Sequence, residues 1–158
     1  MTAPISRVGP RRRTGIVLRV LGVVALGVSA FVHIDIASSR PLVADGQITL
    51  MGLFMAQGVV AAIVALWVLV RGDTLAWLAV GAFGLASLAA LVLSVYVEIP
   101  SIGPFPTIYE PVWYTDKYVA AAAAGAAAII ALVALVRMPR ILNASDDGRD
   151  PREAGPSR

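Results

Sequence analysis

The sequence predicts an all-α membrane protein, a four-helix transmembrane bundle with both termini cytoplasmic. Three observations carry that expectation. Apolar stretches at residues 17–36, 48–70, 74–99 and 118–136 reach or approach the ~20 residues that a helix rising ~1.5 Å per residue needs to cross ~30 Å of hydrocarbon. The composition is 58% hydrophobic and 15% charged, with a mean hydropathy of +0.80, too little polar surface to cover a soluble globule. The cations are unevenly placed: Arg7, Arg11, Arg12, Arg13, Arg19, Arg71, Arg137, Arg140, Arg149, Arg152 and Arg158 fall on the side of the two tails and the turn at 71–73, against Arg40 and Lys117 on the other. Cytoplasmic loops are enriched in such residues, so the tails are assigned to the cytoplasm. A β-barrel is excluded because the runs are continuous and lack in/out alternation.

The first span follows a basic segment, residues 1–13, that has no apolar period and is read as a cytoplasmic tail. A cleaved signal peptide is its rival, with Ala37, Ser38 and Ser39 as the cleavage site. The run is longer than a usual signal core, however, and carries His33 and Asp35 just before that site, so the span is retained. The transmembrane domain covers 14–138. A second polar tail, 139–158, contains Asp146, Asp147, Asp150, Pro151 and Pro156. Arg11 to Arg13 are read as orienting or lipid-touching charges rather than a nucleic-acid site.

The second and third spans are joined only by Arg71, Gly72 and Asp73, which forces an antiparallel hairpin. Trp67 and Trp77 flank that turn, where indoles favour the membrane interface. Met51 and Met55 are read as gap-filling side chains rather than a copper site. After the third span, Pro100, Pro104, Pro106 and Pro111 interleave with Phe105, Tyr109, Trp113 and Tyr114. The prolines forbid a continuing helix and the aromatics suit the headgroup zone, so this loop is expected to lie across the outer end as an interfacial anchor; a functional lid would have the same composition.

The fourth span contains nine small residues in a row, Ala120 to Ala124, Gly125 and Ala126 to Ala128. Small residues let helix backbones approach, so this helix is expected to be central, with Gly125 at the close contact. Gly22, Ala25 and Ser29 in the first span, and Gly84, Ser87, Leu91 and Ser94 in the third, recur at helical spacing and read as packing faces.

One polar constellation has chemical potential. His33 extends the first stripe and Glu98 extends the third, which places both at the outer ends of their spans. Gln57 in the second span and Asp116 at the start of the fourth are expected to join them. Ionisable groups within a membrane persist when paired or useful. A histidine donating to a carboxylate can relay protons, orient a headgroup or share a metal. Near the interface, however, a hydrogen-bonded histidine or a snorkelling glutamate costs little, so a structural role is the favoured reading. With a single histidine and no cysteine, bis-histidine haem and thiolate sites are excluded, and no cofactor or resident metal is expected.

Leu18-Arg19-Val20-Leu21-Gly22, then Phe31-Val32-His33-Ile34, then Gly52-Leu53-Phe54-Met55-Ala56-Gln57 resemble a group of small four-span membrane proteins from actinobacteria. The likeness covers about residues 16–136 and implies the four-span fold without an activity. Twelve arginines against one lysine fit the coding bias of such a source. The span count and the Leu-Arg-x-Leu-Gly start are also similar to DoxX-like four-helix proteins, but residues 31–35 lack the further motif and no redox function carries over. The sequence favours a non-enzymatic component of the cell membrane that contacts the lipid bilayer and packs against a membrane-protein partner or further copies of itself. The alternative is a small-molecule, proton or ion-handling protein that uses the outer polar cluster. The first needs an exposed small-residue helix face, the second an enclosed cavity bearing His33 and Glu98.

Overall fold

The computed structural model describes residues 10–38, 49–101, 103–105 and 107–138, with the backbone alone at 10–14. The second tail, most of the first, and Arg40 and Asp45 lie outside the described residues. The chain forms four helices: α1 (Pro10–Ser38), α2 (Leu50–Val70), α3 (Thr74–Tyr96) and α4 (Thr115–Arg137). All four are long and apolar enough to cross a membrane, which is compatible with an integral multi-pass membrane protein.

Local chemistry sets the boundaries. The described residues are helical from Pro10 rather than from residue 14, and a proline is tolerated there because its fixed φ and missing N–H suit a first helical turn. Thr49 caps α2 by accepting a hydrogen bond from the Gly52 N–H at 3.1 Å, which moves the start of that element two residues beyond 48. Asp73 caps α3 by accepting from the Ala76 N–H at 2.8 Å. That bond, aided by Arg71, holds the Asp73 carboxyl below its ordinary range against an opposing desolvation. α3 stops at Tyr96, three residues before the apolar run does. Val97 turns extended, and Ile99, restricted by the following Pro100, instead exchanges backbone hydrogen bonds with Ile108 at 3.2 and 3.0 Å. α4 starts early, at Thr115, with Asp116 in its first turn where a carboxylate suits the helix dipole.

At the turn joining α2 to α3, Gly72 adopts φ +55°, a left-handed conformation that suits glycine. The Arg19 guanidinium of α1 lies over Gly72 and donates to the Arg71 carbonyl at 3.1 Å. Arg71 in turn pairs with Asp73 at 3.3 Å. The tight turn makes α2 and α3 antiparallel neighbours in sequence, yet their packing is elsewhere. α2 packs chiefly on α1, α3 on α4, and α1 also on α4.

These contacts are made by small residues. A Cβ on Gly84 of α3 would lie 2.7 Å from the Ala124 carbonyl oxygen and 2.9 Å from the Ala128 nitrogen of α4. A Cβ on Gly58 of α2 would lie 2.7 Å from the Ile34 side chain of α1. α4 is interior through Ala120, Ala123, Ala124, Ala127, Ala131 and Ala134, all buried. Gly125 is not at the close contact expected of it, since a Cβ there would meet nothing within 4 Å. Gly125 falls between the buried positions, so the alanines make the face and Gly84 on the opposite helix supplies the missing side chain.

The apolar core occupies the half of the bundle nearest the turn, around Leu26, Val68, Trp77, Val80 and Ala131. Trp77 is 2% exposed, so it belongs to this core rather than to an interfacial belt, and its ring packs against Gly22. Outward, Ile63, Leu66, Leu85, Ile129 and Leu132 are exposed, a surface suited to lipid rather than water.

Candidate functional site

At the opposite end, beneath the connection between α3 and α4, the bundle holds a partly open cavity of about 400 Å³. All four helices contribute to its wall, and Ile108, Tyr109, Glu110 and Tyr114 of the loop close over it. Its apolar surface comes from residues such as Leu53, Phe54, Ala90 and Leu91. A cavity of this size, mainly apolar with a few placed polar groups, has the dimensions of a small-molecule site.

His33 lies in the wall, buried, with Nδ1 2.7 Å from the Ser29 carbonyl one turn earlier on α1. A carbonyl oxygen only accepts, so Nδ1 donates. The imidazole faces the Phe54 ring with centroids 6.0 Å apart. Gln57 and Ser87 also line the cavity, and the Gln57 amide nitrogen donates to the Ser87 hydroxyl at 3.0 Å, tying α2 to α3. Asp116 lies at the mouth, lining the cavity while exposed to solvent.

Glu98 does not join this group. The stripe that was to carry it inward requires helix through residue 98, but α3 ends at Tyr96 and the extended Val97 redirects the chain. Glu98 is exposed and is not among the described residues that line the cavity. The expected contact between His33 and Glu98 is therefore not formed, and the carboxylate that lines the loop side of the cavity, Glu110, pairs with Lys117 instead.

Glu110 holds the roof together. Its backbone N–H donates to the Ser94 carbonyl near the end of α3 at 2.7 Å. Its carboxylate pairs with the Lys117 ammonium at 3.2 Å and accepts from the Tyr114 hydroxyl at 3.3 Å. Lys117 also donates to the Glu110 carbonyl and lies 5.3 Å from the Tyr114 ring centroid. Its side chain is 6% exposed against 39% for Glu110, so the pair spans the boundary between cavity wall and solvent. A buried ammonium is costly without a counter-charge, and Glu110 supplies one. Lys117 was visible in the sequence as the single lysine beside an alanine-rich run, but pairing it with Glu110 needs the path of the loop.

Chemically, the site can bind and orient. Among the described residues no group of three or more histidine, aspartate or glutamate side chains is placed to hold a metal ion. The Ser29 hydroxyl is sealed without a hydrogen-bond partner; it sits one turn from His33 and is not in the cavity wall. The chain matches no protein-family model, no curated protein and no solved structure.

Proposed function

We propose that this protein is a membrane-embedded binding protein whose cavity takes a small, largely apolar molecule at the loop end of the bundle. The cavity is the observation that carries the reading: about 400 Å³, partly open, walled by all four helices and roofed by an ion-paired loop. The competing scaffold reading needs a small-residue helix face left free for a partner. The buried small residues of α4, Ala120, Ala124 and Ala127, pack inside the chain on α1 and α3, whereas Ala82, Ala86 and Ala89 of α3 are exposed. The scaffold reading therefore keeps a candidate face, and the cavity alone favours the binding reading. The cationic asymmetry supports cytoplasmic termini, so the cavity would open on the other side of the cell membrane.

The test uses the full chain in detergent micelles and aminoanthracene, a small apolar fluorophore. Its emission should rise saturably on titration into the protein. Ala90→Phe fills the cavity from a wall position that is itself exposed, and should abolish that rise without lowering thermal stability. Equal binding to both proteins would assign the fluorophore to the outer apolar surface and remove the proposal.

A further inference from the structure

We infer that the cavity selects a neutral molecule bearing a hydroxyl group, which donates its hydrogen to Nε2 of His33; this rests on the cavity being a binding site and names the class of ligand it takes. The tautomer comes first. Because Nδ1 of His33 donates to the Ser29 carbonyl, the single hydrogen of a neutral imidazole is on Nδ1 and Nε2 carries a lone pair. The neutral form is the majority form of an ordinary imidazole above about pH 6.5.

Nε2 has no hydrogen-bond partner among the described residues, and it is not sealed either. Ser29 Oγ is the side-chain polar atom that is both sealed and unpartnered there, so Nε2 keeps some accessible surface. His33 lines the cavity, and we assign that surface to it. The other polar groups of the wall do not compete for it. The Lys117 ammonium and the Tyr114 hydroxyl direct hydrogens at Glu110. Gln57 and Ser87 bond each other across α2 and α3, and amide and hydroxyl can each donate and accept, so that pair fixes no sign. His33 sets it. An acceptor held beside Phe54 in apolar surroundings gains most from a ligand that brings a donor, because an unmet polar group there costs free energy.

A charged donor is disfavoured because it would have to leave water for a mainly apolar wall, where the Glu110 carboxylate is already paired with Lys117 and Asp116 stays exposed at the mouth. Among the described residues no group of three or more histidine, aspartate or glutamate side chains is placed to hold a metal ion. What remains is a hydroxyl on an apolar body, an alcohol or phenol, with Leu53, Phe54, Leu91 and Ile108 packed around that body.

The experiment compares para-hexylphenol with its methyl ether, which has the same apolar body and no donor, in the full-length protein in micelles at about pH 8. The phenol should bind about tenfold more tightly than the ether, the factor expected of one hydrogen bond. His33→Phe should reduce that ratio to about one, whatever its effect on the ether's own affinity. The chain has one histidine, so its imidazole nitrogen-15 signals belong to a known residue. They should show hydrogen on Nδ1 in the free protein and a shift of Nε2 on adding phenol that the ether does not cause. Equal affinities for phenol and ether, or hydrogen found on Nε2, would overturn the inference and leave the cavity reading standing. Binding of neither molecule would overturn the cavity reading itself.

Discussion

The Gln57 amide and the Ser87 hydroxyl meet at 3.0 Å across the two helices that the tight turn joins. α2 and α3 otherwise share little packing, since each rests mainly on a different neighbour. The bond therefore ties together two walls of the cavity at a point where no small-residue contact does so. Ser87→Ala should cost about 0.5–1.5 kcal/mol, because the Gln57 amide loses its partner within the bundle. In Ser87→Ala with Gln57→Leu, the second change should recover part of the loss. A double-mutant cycle on thermal stability in micelles measures the coupling, and simple additivity would show that the bond carries none.

Glu110 and Lys117 should respond unequally to mutation. Glu110→Ala strips the counter-charge from an ammonium that is buried, whereas Lys117→Met removes the ammonium and keeps an apolar stem of similar length. The partly exposed carboxylate lets water screen the pair, so the loss for Glu110→Ala should be about 1–2 kcal/mol rather than the larger cost of breaking a fully buried pair. Lys117→Met should lose less. Melting of the two variants decides the matter, and equal losses would mean that the geometry of the roof, not the orphaned charge, governs its stability.

Gly84 and Gly125 offer a paired test of helix contact. A methyl group at Gly84 would meet the backbone of α4, whose atoms cannot rotate aside, so Gly84→Ala should destabilise by about 1–3 kcal/mol. Gly125→Ala adds a methyl group in open space and should be neutral or stabilising by up to about 1 kcal/mol, the gain in helix propensity. Thermal melts that rank them in the reverse order would contradict the packing of α3 on α4.

Four apolar helices were legible in the sequence because hydrocarbon thickness fixes a length and backbone hydrogen bonding fixes a conformation, independently of tertiary detail. His33, Gln57 and Asp116 line one cavity; helical spacing pointed to His33, and position near the same end of their spans pointed to the other two. Glu98 shows where that reasoning stops. The hydrophobic run continues to Ile99, so periodicity could not reveal that Pro100 and the pairing of Ile99 with Ile108 end the helix at Tyr96. Glu110 and Lys117 were missed as a pair because a loop with no period brings them together. Gly125 was misassigned for a related reason: in an unbroken run of small residues the sequence shows that a close face exists, but the partner helix decides which residues form it.

Acid should weaken the turn between α2 and α3 through Asp73. Its folded pKa lies below the ordinary value of 3.8, first because its carboxylate accepts from the Ala76 N–H. The unfolded chain therefore takes up the proton first as pH falls. The stabilisation is complete above the ordinary value and is lost progressively as pH drops towards and through the folded pKa. Asp73→Asn keeps a capping oxygen without titrating, so its melting temperature should fall less than that of the wild type between about pH 6 and pH 3. Parallel curves would place the acid sensitivity elsewhere.

The orientation proposed from the arginines can be tested without knowing the ligand. Eleven cationic side chains lie on the side of the tails and the turn, against Arg40 and Lys117 on the side of the loop, and Lys117 is already paired with Glu110. A reporter active only in the cytoplasm should work when fused after Arg158 and fail when inserted at Gly103, an exposed loop position where an added Cβ would meet nothing within 4 Å. The reverse pattern would put the cavity on the cytoplasmic side and make its ligand an intracellular one. Arg19 and Arg71 offer a finer handle, because they cluster at the turn. Replacing both with glutamine, while adding lysines to the loop beside Gly103, reduces the asymmetry that holds the chain in place. The reporter signals should then become mixed, whereas an unchanged pattern would show that the cations of the two tails suffice to set the orientation.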